Sequence, residues 1–197
     1  WNPIFAQFKK EGTGWQYLWL VPQDIRGLAR AIGKQTTLER LDEFFSAALS
    51  RRAAPVVPQV QAQVSVFGAF YIGNQFTPAN ETDLQAPWLY DWLGRPWRTA
   101  QIVHAASTVF GPGPYGLPGN DDAGTMSAAY VLSAIGLYQA QPGFDAWELT
   151  APMFSSVKVG HRLTISAPRA GRALPYIPTA RVSGRPVGTV WLRNWQV

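Results

Sequence analysis

Hydrophobic residues recur at helical spacing along much of the first 138 residues. One apolar stripe begins after Pro22 and Asp24 and ends at Gly33, so it has a start signal and a stop signal. A second stripe covers residues 38–49 and follows a Thr-Thr-Leu-Glu sequence that has the form of a capping box. These patterns predict two amphipathic helices that bury one face in a core.

The middle of the chain alternates between loop signals and further helical patterns. A proline-containing stretch at 51–58 is typical of a linker, and alternating valine and alanine residues at 60–66 predict a strand. A loop is expected from Gly73 to Thr82. Further helices are predicted at 87–94, 99–110 and 123–135, the last of them closed by Gly136.

The periodicity changes from helical to two-residue spacing after Pro142. Short alternating segments between glycine and proline turns predict strands at 157–159, 163–165, 180–182 and 189–192. The predicted fold class is mainly α with a β-rich tail, divided into a helical part over 1–138 and a β-rich segment over 139–197.

Composition restricts the possible functions. The chain is 47% hydrophobic and only 15% charged, with nine tryptophans, which is typical of a folded protein. It has no cysteine, and its only histidines are His104 and His161, so a bound metal should be a hard cation held by oxygens. The net charge of +5 comes without a basic run or a nucleic-acid motif, and no apolar run is long enough to cross a membrane. We therefore expect neither a nucleic-acid partner nor a membrane span.

The run Gly-Leu-Pro-Gly-Asn-Asp-Asp-Ala-Gly at 116–124 combines acidic residues with flanking glycines just before a predicted helix. Unpaired N–H groups at a helix start favour ionised carboxylates, so Asp121 and Asp122 should be charged, and one of them can serve as a base. The alternative is an ordinary aspartate N-cap. The local sequence leaves both interpretations open.

Five segments in order resemble sequence blocks of glycoside hydrolase family 92, the calcium-dependent α-mannosidases. The resemblance extends over nearly the whole chain and is strongest at 116–138. The segments read EGTGWQY at 11–17, NETD at 80–83, GRPWRT at 94–99, GLPGNDDAGTMSAAYVLSAIGLY at 116–138 and APMF at 151–154.

The resemblance implies an architecture and an activity larger than this chain. It implies the C-terminal half of an (α/α)6 helical barrel, followed by strands that join a β-sandwich. The rest of both would come from an upstream polypeptide, without which we expect the chain to be inactive. The implied activity is that of a secreted or extracytoplasmic exo-acting enzyme that removes terminal α-linked mannose from glycans, with inversion and with calcium.

The resemblance also implies roles for the acidic residues. Glu11 matches the general acid, and its surroundings of glycine and tryptophan would raise its pKa by desolvation. Asp122 is preferred to Asp121 as the base, because the corresponding loop often reads Asp-x-Asp with the second acid as base. Asn120 replaces the first acid of that pattern, which leaves an amide to orient the water.

Substrate and metal contacts follow from the same match. Trp15, Gln16 and Trp88 are candidates for sugar contacts, with core packing as the alternative for the tryptophans. Asn80 and Glu81 are the candidate calcium ligands, with a polar capping loop as the alternative. Gln85 stands where the family often has histidine. Two other functions stay open, a non-catalytic carbohydrate-binding or assembly module and a catalytically impaired relative.

Overall fold

Helices with one apolar face make up most of the first part of the structure. The computed structural model describes residues 12–46, 76–114, 116–171 and 175–197, so the predicted linker at 51–58 and strand at 60–66 lie outside it. The helices are α1 (Gly14–Tyr17), α2 (Ile25–Ile32), α3 (Lys34–Phe44), α4 (Glu81–Leu84), α5 (Leu89–Leu93), α6 (Pro96–Ser107) and α7 (Thr125–Ile135). Within these residues no helix is long and apolar enough to span a membrane.

Several helix ends lie where the sequence predicts them. The Asp24 carboxylate caps α2 by accepting a 2.7 Å hydrogen bond from the Gly27 amide. The residues that end α2, α5 and α7 are Gly33, Gly94 and Gly136, with φ of 94°, 83° and 87°. Glycine adopts positive φ without a Cβ clash, and these endings are therefore confirmed.

Other boundaries differ from the prediction for local reasons. Helix α3 begins at Lys34, so the expected capping box lies inside the helix, and the Thr37 hydroxyl donates to the Gly33 carbonyl at 2.9 Å. Helix α6 begins at Pro96, since proline fits the first helical position. The short helix α4 begins at Glu81, inside the last two residues of the segment expected to be a loop.

An aromatic-rich core joins α2, α3, α5 and α6. Phe44 and Phe45 at the end of α3 contact each other edge to face with ring centroids 5.0 Å apart. Tyr90 of α5 packs against Phe45 at 5.8 Å. The cluster comprises Trp19, Ile25, Ala29, Leu38, Leu41, Phe44, Phe45, Ala86, Leu89, Tyr90, Leu93 and Ile102.

The strands form small antiparallel sheets in the part of the chain after α7. They are β1 (Leu137–Tyr138), β2 (Trp147–Leu149), β3 (Ser156–Val159), β4 (Leu163–Ser166), β5 (Ala180–Val182), β6 (Arg185–Val187) and β7 (Trp191–Leu192). Within the described residues β1, β2 and β7 form one sheet, while β3 pairs with β4 and β5 with β6. The predicted β-rich tail is confirmed, but β1, β2 and β6 were missed because two or three residues carry too little alternation. The barrel and the sandwich stay predictions.

Buried carboxyl groups lie at the junction between α5 and the first sheet. Glu148 on β2 is fully buried and accepts hydrogen bonds from the Trp92 indole at 2.9 Å and the Ala140 amide at 3.0 Å. Asp91 on α5 is 4% exposed, and neither of its carboxyl oxygens has a hydrogen-bond partner in the described part of the chain. The junction therefore combines one satisfied acid with one that lacks partners.

Burial changes the protonation of both acids. Desolvation raises the pKa of Asp91 well above its ordinary range, the nearby Thr99 hydroxyl lowers it, and the negative charge of Glu148 raises it. Desolvation also raises the pKa of Glu148, and its bonds from Ala140 and Trp92 oppose that shift. Between the unfolded pKa of about 4 and the raised folded value, the folded protein binds more protons, so stability falls as pH rises.

Replacing Asp91 by asparagine should remove its share of this pH dependence. Relative to wild type, Asp91→Asn should gain stability as pH rises above about 4, by up to about 1.4 kcal/mol per pH unit, because no buried carboxyl remains to ionise at this position. Urea unfolding across this range measures the difference. Asp145→Asn is the control, since its side chain is 47% exposed. Parallel pH profiles for Asp91→Asn and wild type would contradict the interpretation.

Candidate functional site

The first site segment, residues 12–17, is a tight turn closed by its own side chains. The Thr13 amide donates to the Gln16 side-chain oxygen at 2.8 Å, and the Gln16 amide donates to the Thr13 hydroxyl at 3.4 Å. This reciprocal capping box starts α1. Both residues are buried, so the chain directly after Glu11 is held against the protein.

The second segment, residues 77–83, is organised around the carboxyl of Asp83. One oxygen of this fully buried residue accepts a 3.0 Å hydrogen bond from the Thr77 amide, while Oδ1 has no partner of ordinary geometry among the described residues. The Thr77 hydroxyl in turn accepts a 3.2 Å bond from the Ala79 amide. Backbone at both ends of the turn is thereby fixed to one side chain.

Burial also keeps the Asp83 carboxyl largely protonated. Desolvation raises its pKa from 3.8 to about 8, and hydrogen-bonding interactions with the Thr77 backbone and the side chains of Thr82 and Gln16 oppose the rise. The interaction with Gln16 links the second segment to the first, in agreement with the packing of α1 on α4.

The third segment is the acidic loop before α7, and a glycine brings it against the second. A Cβ atom on Gly119 would collide with the carbonyl oxygen of Ala79, so only glycine permits this backbone approach. Helix α4 also packs on α7. Residues 12–17, 77–83 and 119–122 therefore lie side by side, and we call them the three site segments.

The two adjacent aspartates of the loop have different environments. Asp121 caps the first turn of α7 from three residues before the N-cap residue, Gly124: its two carboxylate oxygens accept hydrogen bonds from the amide and the hydroxyl of Ser127, both at 2.8 Å. Asp122 is exposed, and its backbone carbonyl accepts from the Thr125 hydroxyl at 2.8 Å. The capping interpretation thus fits Asp121, and Asp122 keeps its carboxylate at the surface.

Three consecutive residues at this point have positive φ. The angles are 24° at Asp122, 57° at Ala123 and 82° at Gly124. Such a conformation costs about 1–3 kcal/mol at each non-glycine residue and is typical of functional sites. It also explains why α7 begins at Thr125, two residues later than predicted.

The remaining predicted site residues are distributed unevenly. Glu11 lies outside the described residues, and Asn120 is exposed on the loop. Trp15 is half-buried against the aromatic core. Gln16 is fully buried, and Trp88 is 1% exposed and stacked on Tyr138 at 4.9 Å. For these last two, sugar contact stays a prediction, and the observed burial gives them packing and hydrogen-bonding roles instead.

The predicted metal ligands lie in the second segment. Asn80 is buried and Glu81 is partly buried at the start of α4. Their oxygen donors suit calcium in kind, but calcium takes six to eight ligands. The described residues contain no group of three or more acidic, histidine or cysteine side chains able to hold a metal. This pair therefore forms part of a ligand set at most.

Two further residues, one at the end of the second segment and one just after it, have roles that sequence reasoning missed or left open. The sequence patterns assign no role to Asp83, which is fully buried in α4, the helix that packs on α1, far away in sequence. The Gln85 amide donates to the Thr82 carbonyl at 2.8 Å and is 7% exposed. Gln85 thus stabilises the turn at the position where the family often has histidine.

Comparisons with known proteins identify the family of this chain. The model of the glycosyl hydrolase family 92 catalytic domain matches residues 2–197. A protein of Arthroderma benhamiae described as an uncharacterized secreted glycosidase is 27% identical over 161 residues, which is 81% of this chain and 17% of that protein.

Solved structures of this family have the same fold. A family GH92 α-mannosidase from Bacteroides thetaiotaomicron matches with a TM-score of 0.79 and 26% identity, covering all of this chain and 25% of that one. A GH92 inverting mannosidase from the same organism matches with a TM-score of 0.75 and 26% identity, over 95% of this chain and 26% of its own. The chain thus spans about a quarter or less of these relatives. It belongs to glycoside hydrolase family 92, as part of the catalytic domain.

Proposed function

We propose that this chain carries the acid and the base of an exo-acting enzyme that hydrolyses terminal α-linked mannose with inversion. The observation that supports this most is the exposed carboxylate of Asp122, on strained backbone in the loop that packs against the 77–83 turn. A strained, solvent-accessible acid that is not used to cap its helix is typical of a reactive group. The two Bacteroides relatives are mannosidases, and one is an inverting enzyme.

The proposed reaction uses two carboxyl groups with opposite protonation. Glu11 donates its proton to the leaving glycosidic oxygen as the bond to the anomeric carbon breaks. Asp122 takes a proton from a water molecule that attacks this carbon from the opposite face. Asn120, beside the base in sequence and exposed, orients that water through its side-chain amide.

Calcium is proposed as the cofactor, with Asn80 and Glu81 among its ligands. When bound, it would hold adjacent hydroxyls of the mannose and favour a distorted ring. The second segment would hold these two residues in place for the substrate, because hydrogen bonds of Asp83 and Thr77 fix the turn that carries them. The other ligands would come from water, from the sugar or from elsewhere in the protein.

The complete enzyme is proposed to need more than this chain. The relatives are about four to five times as long as this chain, and the mannosidase activity belongs to the whole Bacteroides proteins. We propose that an upstream polypeptide of the same enzyme completes the barrel, the sandwich and the sugar pocket. Secretion is proposed from the relative described as a secreted glycosidase. The experiments below therefore use the complete protein that contains this chain.

Adjacent aspartates provide a matched test of the base. Asp122→Asn should lower kcat on α-mannosides by about 10²- to 10⁴-fold without loss of stability, because general-base catalysis is removed. Asp121→Asn should lose about 1 kcal/mol of stability, since it weakens the cap of α7, and should keep most of its turnover. Steady-state kinetics and thermal unfolding measure the two effects. A reversed pattern would assign the base to Asp121.

The acid is tested by changing the leaving group. Glu11→Gln should abolish hydrolysis of an alkyl α-mannoside, yet regain much of its rate on a dinitrophenyl α-mannoside, whose leaving group needs no proton. Asp122→Asn should not be rescued in this way. Equal losses on both substrates for both variants would contradict the assignment of these roles.

Metal dependence is tested by chelation. Prolonged dialysis against a chelator should abolish activity, and calcium should restore it better than magnesium, which requires compact octahedral geometry. Glu81→Gln should need a higher calcium concentration for half-maximal activity, because it removes a charged ligand. Full activity in excess chelator would exclude the calcium assignment.

A further inference from the structure

The side chain of Asp83 lies where the first two site segments pack against each other. Its carboxyl accepts a hydrogen bond from the Thr77 amide at 3.0 Å, and the side-chain amide of Gln16, on the helix α1 that packs against α4, lowers its pKa. The residue is fully buried, so it does not touch solvent. Any role in catalysis is therefore exercised through its neighbours.

The two neighbours of Asp83, Gln16 and Thr77, are each connected to a segment next to a proposed reactive group. Gln16 accepts from the Thr13 amide at 2.8 Å, and Thr13 is two residues from Glu11. On the other side, Thr77 fixes Ala79, whose carbonyl lies against Gly119 in the loop that carries Asp122. Asp83 therefore interacts with the segment 12–17, which follows Glu11 in the sequence, and belongs to the 77–83 turn, which contacts the loop that carries Asp122.

From this arrangement we propose that Asp83 is a positioning residue, which holds the chain after Glu11 in place through Gln16 and the 77–83 turn in place through Thr77. The proposal rests on the function proposed above, and it adds a residue that neither donates nor accepts the transferred protons. A small displacement of a catalytic group is enough to cost a large factor in rate. An apolar residue of similar size would fill the space but could not make these polar contacts.

The kinetic consequence depends on which group loses its position. The side chain of Asp83 acts on Gln16, which is hydrogen-bonded to Thr13, two residues after the proposed acid Glu11. Loss of this contact should impair proton donation to the leaving group most. Asp83→Asn should therefore lower kcat about 10- to 100-fold on an alkyl α-mannoside, with KM changed less, and should lose much less on a dinitrophenyl α-mannoside.

A second variant tests the same link from the other side. Gln16→Met keeps the size of the side chain but removes its amide, so it should show the same dependence on the leaving group. Asp91→Asn serves as a control, since Asp91 is also a buried aspartate but lies at the junction with the first sheet and not in the site segments. It should keep the kinetics of wild type on both substrates.

The outcomes separate this proposal from the proposed function. No α-mannoside hydrolysis by the wild-type protein with calcium would count against the function itself. Hydrolysis by wild type with unchanged kinetics in Asp83→Asn would overturn the positioning role. Equal rate losses on both substrates would also overturn it, because they indicate a smaller fraction of active enzyme. If Asp83→Asn does not fold, Gln16→Met decides, and failure of both to fold would reduce Asp83 to a stabilising residue.

Discussion

The close approach of Gly119 to the Ala79 carbonyl is the contact on which the candidate site depends. It is a backbone contact, so any residue with a Cβ would force the acidic loop away from the 77–83 turn. The turn keeps its own shape through Thr77 and Asp83. The position of the acidic loop thus depends on the absence of a side chain at Gly119. It also depends on Asp83, the buried acid that fixes the 77–83 turn against which the loop packs.

The strained backbone at 122–124 keeps its conformation because contacts fix the chain on either side of it. Asp121 is fixed by two bonds to Ser127, and α7 is ended by Gly136, whose own surroundings leave no room for a Cβ beside the Thr150 carbonyl. The two neighbouring aspartates therefore have different roles. The first stabilises the helix, and the second keeps an exposed carboxylate at a fixed place. Local structure that is held from both sides can store strain of this kind.

Local signals predicted much of the fold, and long-range contacts account for what they missed. Caps and stops such as Asp24, Gly33 and Gly136 act within a few residues, so the sequence was sufficient to locate them. Strand β1 exists only because it pairs with β2, and Leu137 lies opposite Leu149 across the ladder. Such pairing is not encoded in a two-residue segment.

The candidate site shows the same limit. Family resemblance was enough to indicate the loop at 116–124, but residue type does not show which aspartate caps the helix. Nor does it show that Trp88 and Gln16 are buried, because tryptophan and glutamine suit a sugar and a protein interior equally well. These answers come from Tyr138 and Ser127, which stack on Trp88 and bond Asp121.

Two buried aspartates show how the surroundings determine the role of a buried carboxyl group. Asp91 lacks hydrogen-bond partners among the described residues and faces Glu148, so its ionisation opposes folding. Asp83 is equally buried, but one of its carboxyl oxygens accepts a 3.0 Å hydrogen bond from the Thr77 amide, and the helices around it belong to separate site segments. Burial is unfavourable for both acids. Of the two, only Asp83 holds groups that lie near the proposed reaction. Burial of an acid therefore does not indicate function by itself, but the identity of its partners does.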